Sequence, residues 1–181
     1  LESLDLSMFN TENVTSMPNM FNGAKKLKTL NVSSFNTEKV KNMGHMFTDC
    51  SDLTSLDLSS FNTKGVEYVD YMFQNCSNLT TIYVSANFAI GKGLKNGSGM
   101  FLDCKKLKGF KGYATNYTDH TYANYTTGYF TKQVGKNGEE KIGAVGKTLT
   151  AESLALADDK DFVAYEPFTA TTATYNPVSY T

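Results

Sequence analysis

The chain contains no arginine: its 17 basic residues are all lysine, set against 18 acidic ones, for a formal net charge of −1. Proteins that read nucleic acid carry a positive excess and use Arg for bidentate contacts. A near-neutral chain without Arg is therefore not expected to bind nucleic acid. Two His and three Cys leave little material for metal or acid–base chemistry. There is no run of about 18 apolar residues, so no membrane-spanning helix is expected. No signal peptide is present either. That absence excludes nothing, because Leu1 opens in the middle of a pattern and the sequence reads as a piece of a longer chain. Its 181 residues, 40% of them hydrophobic, suffice for one or two domains with a core.

What is present is a repeat. Residues 9–24 read FNTENVTSMPNMFNGA, residues 35–50 FNTEKVKNMGHMFTDC, and residues 61–76 FNTKGVEYVDYMFQNC. Equivalent segments begin at Leu1, Leu27, Leu53 and Leu79, each 26 residues after the last, with Leu107 a further 28 on. Internal similarity at such a period is the mark of stacked repeats. In the first half of each unit, Leu30 and Val32 alternate with Thr29, Asn31 and Ser33, which predicts a half-buried strand. In the second half, Val40, Met43, Met46, Phe47 and Cys50 fall on one arc of roughly 120° at helical pitch. That spacing predicts a short helix, with Thr37 as its N-cap and Glu38 favourable in the first turn. The expected fold is therefore α/β: a solenoid with one parallel strand and one short helix per unit. Four strands are expected near residues 4–6, 30–32, 56–58 and 82–84, stacked about 4.8 Å apart, with a helix after each but the last. The fourth unit decays, with one residue inserted before Phe88, another before Met100, and Ala89 in place of the repeating Asn.

The unit LTSLDLSSFNTKGVEYVDYMFQNCSNL resembles the 26-residue repeat of BspA-like leucine-rich-repeat surface proteins of host-associated bacteria. The resemblance covers residues 1–106, where FNT-x-x-V, MF and C-S-x-L recur together. It departs from the standard leucine-rich unit in that Phe35 stands at the usual Asn position, with Asn36 one place later. The likeness implies a right-handed solenoid, secreted or on the bacterial cell surface, and it carries over no catalytic residue. The stretch LKGFKGYATNYTDHTYANYTTGYFT (107–131) is similar to the segment that closes such arrays, and is expected to be a Tyr/Thr-rich cap. Residues 132–181 read as a small β-rich module, a hairpin around GKNG followed by Thr-rich strands, truncated at its end.

Several residue sets could carry chemistry. Ser3, Asp5, Thr29, Asn31, Ser55, Asp57, Thr81 and Tyr83 form an outward row on the strands, and such a row is the usual ligand face of a solenoid. The two carboxylates of the row stand about 10 Å apart with Asn31 between them, too far for a shared metal ion. Cys50, Cys76 and Cys104 share one repeat position with Ala24, which predicts a buried, unbonded ladder of small side chains. Asn10, Asn36 and Asn62 are expected to form an inward-turned ladder serving the turn that leaves the strand. No catalytic, cofactor or metal site is expected, and the protein is not expected to be an enzyme. The expected function is adhesion, protein binding or display of neighbouring domains, with a host or bacterial surface protein or a glycan as partner. The alternative is carbohydrate binding through the Tyr-rich cap and the strand face. The first unit lacks an upstream neighbour, so self-association through its apolar edge is also expected.

Overall fold

The computed structural model describes residues 1–133. Residues Leu1–Thr131 form one unit and Lys132–Thr181 a second. The expected hairpin and strand module falls almost wholly outside the described residues.

The strands form where alternation places them. β1 (Ser3–Asp5), β2 (Thr29–Asn31), β3 (Ser55–Leu58) and β4 (Thr81–Val84) occur once per 26-residue coil. β1 pairs in parallel with β2, Leu4 opposite Leu30; β3 pairs in parallel with β4, Leu56 opposite Ile82. A short fifth strand, β5 (Thr131–Lys132), joins the sheet beside β4. Between β2 and β3 the sheet is interrupted. The coils nevertheless keep register, because parallel bridges run Ser16–Asn42–Tyr68–Asn96 along a second line.

The expected helix is absent, which overturns the α/β strand-plus-helix solenoid. Among the described residues the only helical turn is a single 3-10 turn, His120–Tyr122. Residues 43–50 instead form a chain of β-turns. Met46 N–H donates to Met43 O, Thr48 N–H to His45 O, and Cys50 N–H to Phe47 O. The first and third of these turns carry left-handed residues, His45 (φ 57°) and Asp49 (φ 59°), at their third position, as type II turns require. Asn19, Gly23, Tyr71, Asn75, Gly99 and Asp103 repeat the arrangement in the other coils. A left-handed residue every fourth position cannot belong to an α-helix.

The alternate N–H groups of this turn chain leave the coil. Met43, His45, Phe47 and Asp49 donate to the carbonyls of Tyr68, Asp70, Met72 and Gln74 at 2.9 Å each. Met17, Asn19, Phe21 and Gly23 make the same bonds one coil earlier, and Val69, Tyr71, Phe73 and Asn75 one coil later. Every second backbone donor thus ties one coil to the next, as in a parallel sheet, while the rest close turns. The helical period in the apolar residues is real, but turns at four-residue spacing satisfy it as well as a helix does.

Between strands and turn chain, Val40, Met43, Met46, Phe47, Cys50 and Leu53 are fully buried. Phe21, Phe47, Phe73 and Phe101 stack face to face at 5.4, 5.5 and 5.6 Å. The stack ends at the cap, where Tyr129 and Phe130 meet Phe101 edge-on at 76° and 73°. Rings set across the column close it, since no further parallel ring can follow.

Candidate functional site

The residues of the expected outward row lie on the strands in two paired sets. Ser3 lies beside Thr29 and Asp5 beside Asn31; Ser55 lies beside Thr81 and Asp57 beside Tyr83. The Thr29 hydroxyl donates to Ser3 Oγ at 2.7 Å, and the neighbouring Lys28–Glu2 ion pair closes at 2.9 Å. The hydrogen bond and charge of Lys28 lower the Glu2 pKa. Three members of the row also have local work. Asp5, Asn31 and Asp57 accept the N–H groups of Ser7, Ser33 and Ser59 at 2.8, 3.1 and 2.9 Å. These bonds pin the turn that leaves each strand, and the Ser7 N–H lowers the pKa of Asp5. The row is therefore two locally pinned, largely solvated sets of hydroxyl, amide and carboxylate groups, the second ending in the half-buried ring of Tyr83.

The Asn set sits differently from expectation. Asn10 and Asn36 are exposed and Asn62 half-buried; none turns inward. Each side-chain oxygen accepts the N–H two residues on, from Glu12, Glu38 and Lys64. The inward ladder belongs to the next residue. Thr11 Oγ1 donates to Asn36 O at 2.9 Å and accepts Asn36 N–H at 2.8 Å. Thr37 does the same with Asn62 at 3.0 and 2.8 Å. Thr37 is thus an inter-coil bridge and not a helix cap. Thr63, the third of the series, is buried with its hydroxyl unpartnered among the described residues. Recurrence of Thr in the FNT triplet was the visible signal for this ladder, but a hydroxyl at that place serves a helix cap equally well.

The cysteines are free and buried. Cys50, Cys76 and Cys104 Sγ donate to the carbonyls of Phe21, Phe47 and Phe73 at 3.2, 3.1 and 2.9 Å. Burial pushes the Cys50 thiol up to about 11 and Cys104 to about 12, and raises Cys76 well above its ordinary value. A nucleophilic thiolate needs the opposite shift. The one His–carboxylate contact in this region, His45 Nε2 to Asp70 Oδ2 at 3.6 Å, lies in the outward row of left-handed residues. There the imidazole stacks on Tyr71 at 5.1 Å. Thr48 Oγ1 approaches His45 Nδ1 at 3.3 Å but donates to Tyr71 O at 2.7 Å, so it is engaged in structure. Among the described residues no group of three His, Cys, Asp or Glu could hold a metal ion, and no helix is long and apolar enough to cross a membrane.

In the cap, Tyr129 is fully buried, and its hydroxyl accepts the Ala114 N–H at 3.1 Å. The Tyr113 hydroxyl accepts the Asp103 N–H, also at 3.1 Å. Burial raises both phenols' pKa values. Tyr122 packs on Tyr129 at 5.6 Å and on Tyr117 at 4.9 Å. Tyr117 keeps 37% of its surface, but the Lys111 ammonium stands 3.9 Å over its ring. Gly128 permits the packing: a Cβ there would lie 2.1 Å from Tyr122 O. At the opposite end Leu1, Met8 and Phe9 are 83%, 94% and 56% exposed. A cleft of about 500 Å³ opens there, between Leu1, Leu4, Met20 and Phe21.

A family model described as "Mycoplasma protein of unknown function, DUF285" matches residues 1–114. That span covers the four coils and the first residues of the cap. No curated protein and no solved structure matches the chain.

Proposed function

The chain belongs to the DUF285 family, and on that premise we propose that it is a non-catalytic repeat scaffold of a bacterial surface or secreted protein. Its role is adhesion or protein binding, or display of neighbouring domains. The resemblance of the 26-residue unit to BspA-like surface repeats supports the location. The observation that supports the binding reading is the strand row, Ser3 to Tyr83, paired within β1–β2 and within β3–β4 and pinned by local turns, while the bridges along the second line keep the four coils in register. A fixed strip of alternating donors and acceptors suits an extended protein surface, because little side-chain entropy is lost on contact.

Carbohydrate binding by the cap is the second reading. Of its tyrosines, Tyr117 alone among the described ones is more than a third exposed, and Lys111 shares its face. Those facts favour a closing role for the cap. Self-association through the first coil is also part of the proposal, supported by the exposed Leu1, Met8 and Phe9.

The experiment is a paired screen of host-matrix proteins and a glycan array. The unaltered chain is compared with Thr29→Lys/Ser55→Lys on the strand row and with Tyr117→Ala on the cap. Binding to a matrix protein that the strand-row variant loses supports the proposal. Glycan binding lost only in Tyr117→Ala would transfer the role to the cap, and binding that survives both variants would overturn both readings.

A further inference from the structure

The second of the two insertions in the fourth coil falls in the loop AIGKGLKNGSG over residues 89–99, before Met100. Elsewhere the turn chain begins with an N–H aimed at the following coil. Met17 donates to Asn42 O, Met43 to Tyr68 O and Val69 to Asn96 O, at 2.8, 2.9 and 2.9 Å. Gly97 is the fourth member of that series. It is buried, yet among the described residues its N–H has no acceptor. Where the next coil would have supplied a carbonyl there is a cavity of about 450 Å³, lined by Lys92, Lys95, Gly97, Ser98, Asp119 and His120 among others. A buried N–H without a protein partner is rare, and this one borders an open cleft from which an oxygen can reach it.

The remaining groups say what kind of oxygen. The Lys95 ammonium is held by Glu67 at 2.6 Å. Asp119 Oδ1 accepts the Thr121 N–H at 2.9 Å and is further engaged by the Thr121 hydroxyl. Among the described residues the Lys92 ammonium has no ion-pair partner, and the N–H groups of Gly91 and Lys92 have no acceptor. The uncommitted groups around the cavity thus include the Gly91, Lys92 and Gly97 N–H donors and one cationic side chain. Backbone donors in a glycine-rich loop beside a lysine favour an anionic oxygen. The His120 ring closes one wall, and only glycine at 97 lets it approach: a Cβ there would lie 2.5 Å from its Nδ1.

We infer that this loop and the His120 turn form a binding site for a small carboxylate-bearing ligand, the carboxylate lying between the Gly97 N–H and the Lys92 ammonium. The site is separate from the strand row and stands or falls independently of it. The test is an NMR titration of the ¹⁵N-labelled chain with sodium glucuronate, N-acetylglutamate, glucose, and sodium chloride at matched ionic strength. Saturable shifts of the Gly97 and Lys92 amides are expected with the carboxylates and not with glucose or chloride. The stronger of the two carboxylates shows whether the source is an acidic sugar or an acidic peptide. Lys92→Ala should weaken binding about tenfold or more, as loss of one charge-assisted hydrogen bond predicts, with amide shifts elsewhere unchanged. Lys25→Ala, at the other end of the array, should bind as the unaltered chain does. An unmoved Gly97 amide, equal response to glucose or chloride, or full affinity in Lys92→Ala would each overturn the site.

Discussion

Two threonines that look alike in sequence have opposite value in the fold. Thr37 Oγ1 exchanges two hydrogen bonds with the backbone of Asn62, whereas Thr63 Oγ1 has no partner among the described residues. Removing a satisfied buried hydroxyl strands the groups it served, while removing an orphan relieves a desolvation penalty. Thr37→Val should therefore lose about 1–3 kcal/mol in urea unfolding, and Thr63→Val should be neutral or stabilising. Equal losses at both sites would show that the ladder is not what holds the coils. The cysteine ladder makes a second residue-scale prediction. Cys76→Ala should fold with a loss of about 1–2 kcal/mol from missing sulfur contacts, and native thiols should resist a bulky labelling reagent. The thiol pKa values are raised on folding, Cys50 from 9.0 to about 11. Their stabilising contribution is thus complete below pH 9 and lost as pH climbs through the folded values. Thermal melts should fall between about pH 9 and 11, and fall less in Cys50→Ala. Burial of the ladder was legible from its shared register with Ala24. The sulfur–carbonyl bonds were not, since they depend on turn geometry that no residue type announces.

At the level of the element, the apolar spacing of residues 40–50 fits two structures, and the choice lies in the residues between. Asn, Asp or Gly recurs at 23, 49, 75 and 103, and Asn or Gly at 19 and 99, in each case on a left-handed backbone. These types enter that region at least cost. His45 and Tyr71 occupy the same register and hid the signal, because neither marks a turn by itself. Their rings stack at 5.1 Å. The strands were readable because Leu and Val alternating with polar residues put one face in the core only if the chain is extended. A helix and a turn chain answer oppositely to one pair of substitutions. Asp49→Ala and Asp49→Gly both delete the Asn75–Asp49 side-chain bond, so their difference reports the backbone alone. In a left-handed turn position the Gly variant should be more stable than the Ala variant by about 1 kcal/mol. In a helix the order would reverse, by a similar amount. Urea midpoints of the two variants decide it.

Across the whole molecule, stability grows from neighbour contacts and the two ends differ. The cap sets Tyr129 and Phe130 across the last phenylalanine of the column, so Phe130→Ala should cost about 3–5 kcal/mol, read by chemical unfolding. The first coil keeps its apolar edge open. Sedimentation over a concentration series should show association that Leu4→Lys and Phe9→Lys abolish; a monomer at all concentrations would remove self-association from the proposed role. Both ends rest on one architecture, in which alternate backbone donors cross from coil to coil. The period of 26 residues was plain in the sequence, but the direction of those donors was not. Scalar coupling across hydrogen bonds observes that direction without a variant. In the ¹³C,¹⁵N-labelled chain, the amide nitrogen of Phe47 should couple to the carbonyl carbon of Met72, with Met43 coupled to Tyr68 and Asp49 to Gln74 in the same spectrum. Coupling from Phe47 to the carbonyl of Met43, four residues back, would be the bond of an α-helix and would contradict the stacked turn chain.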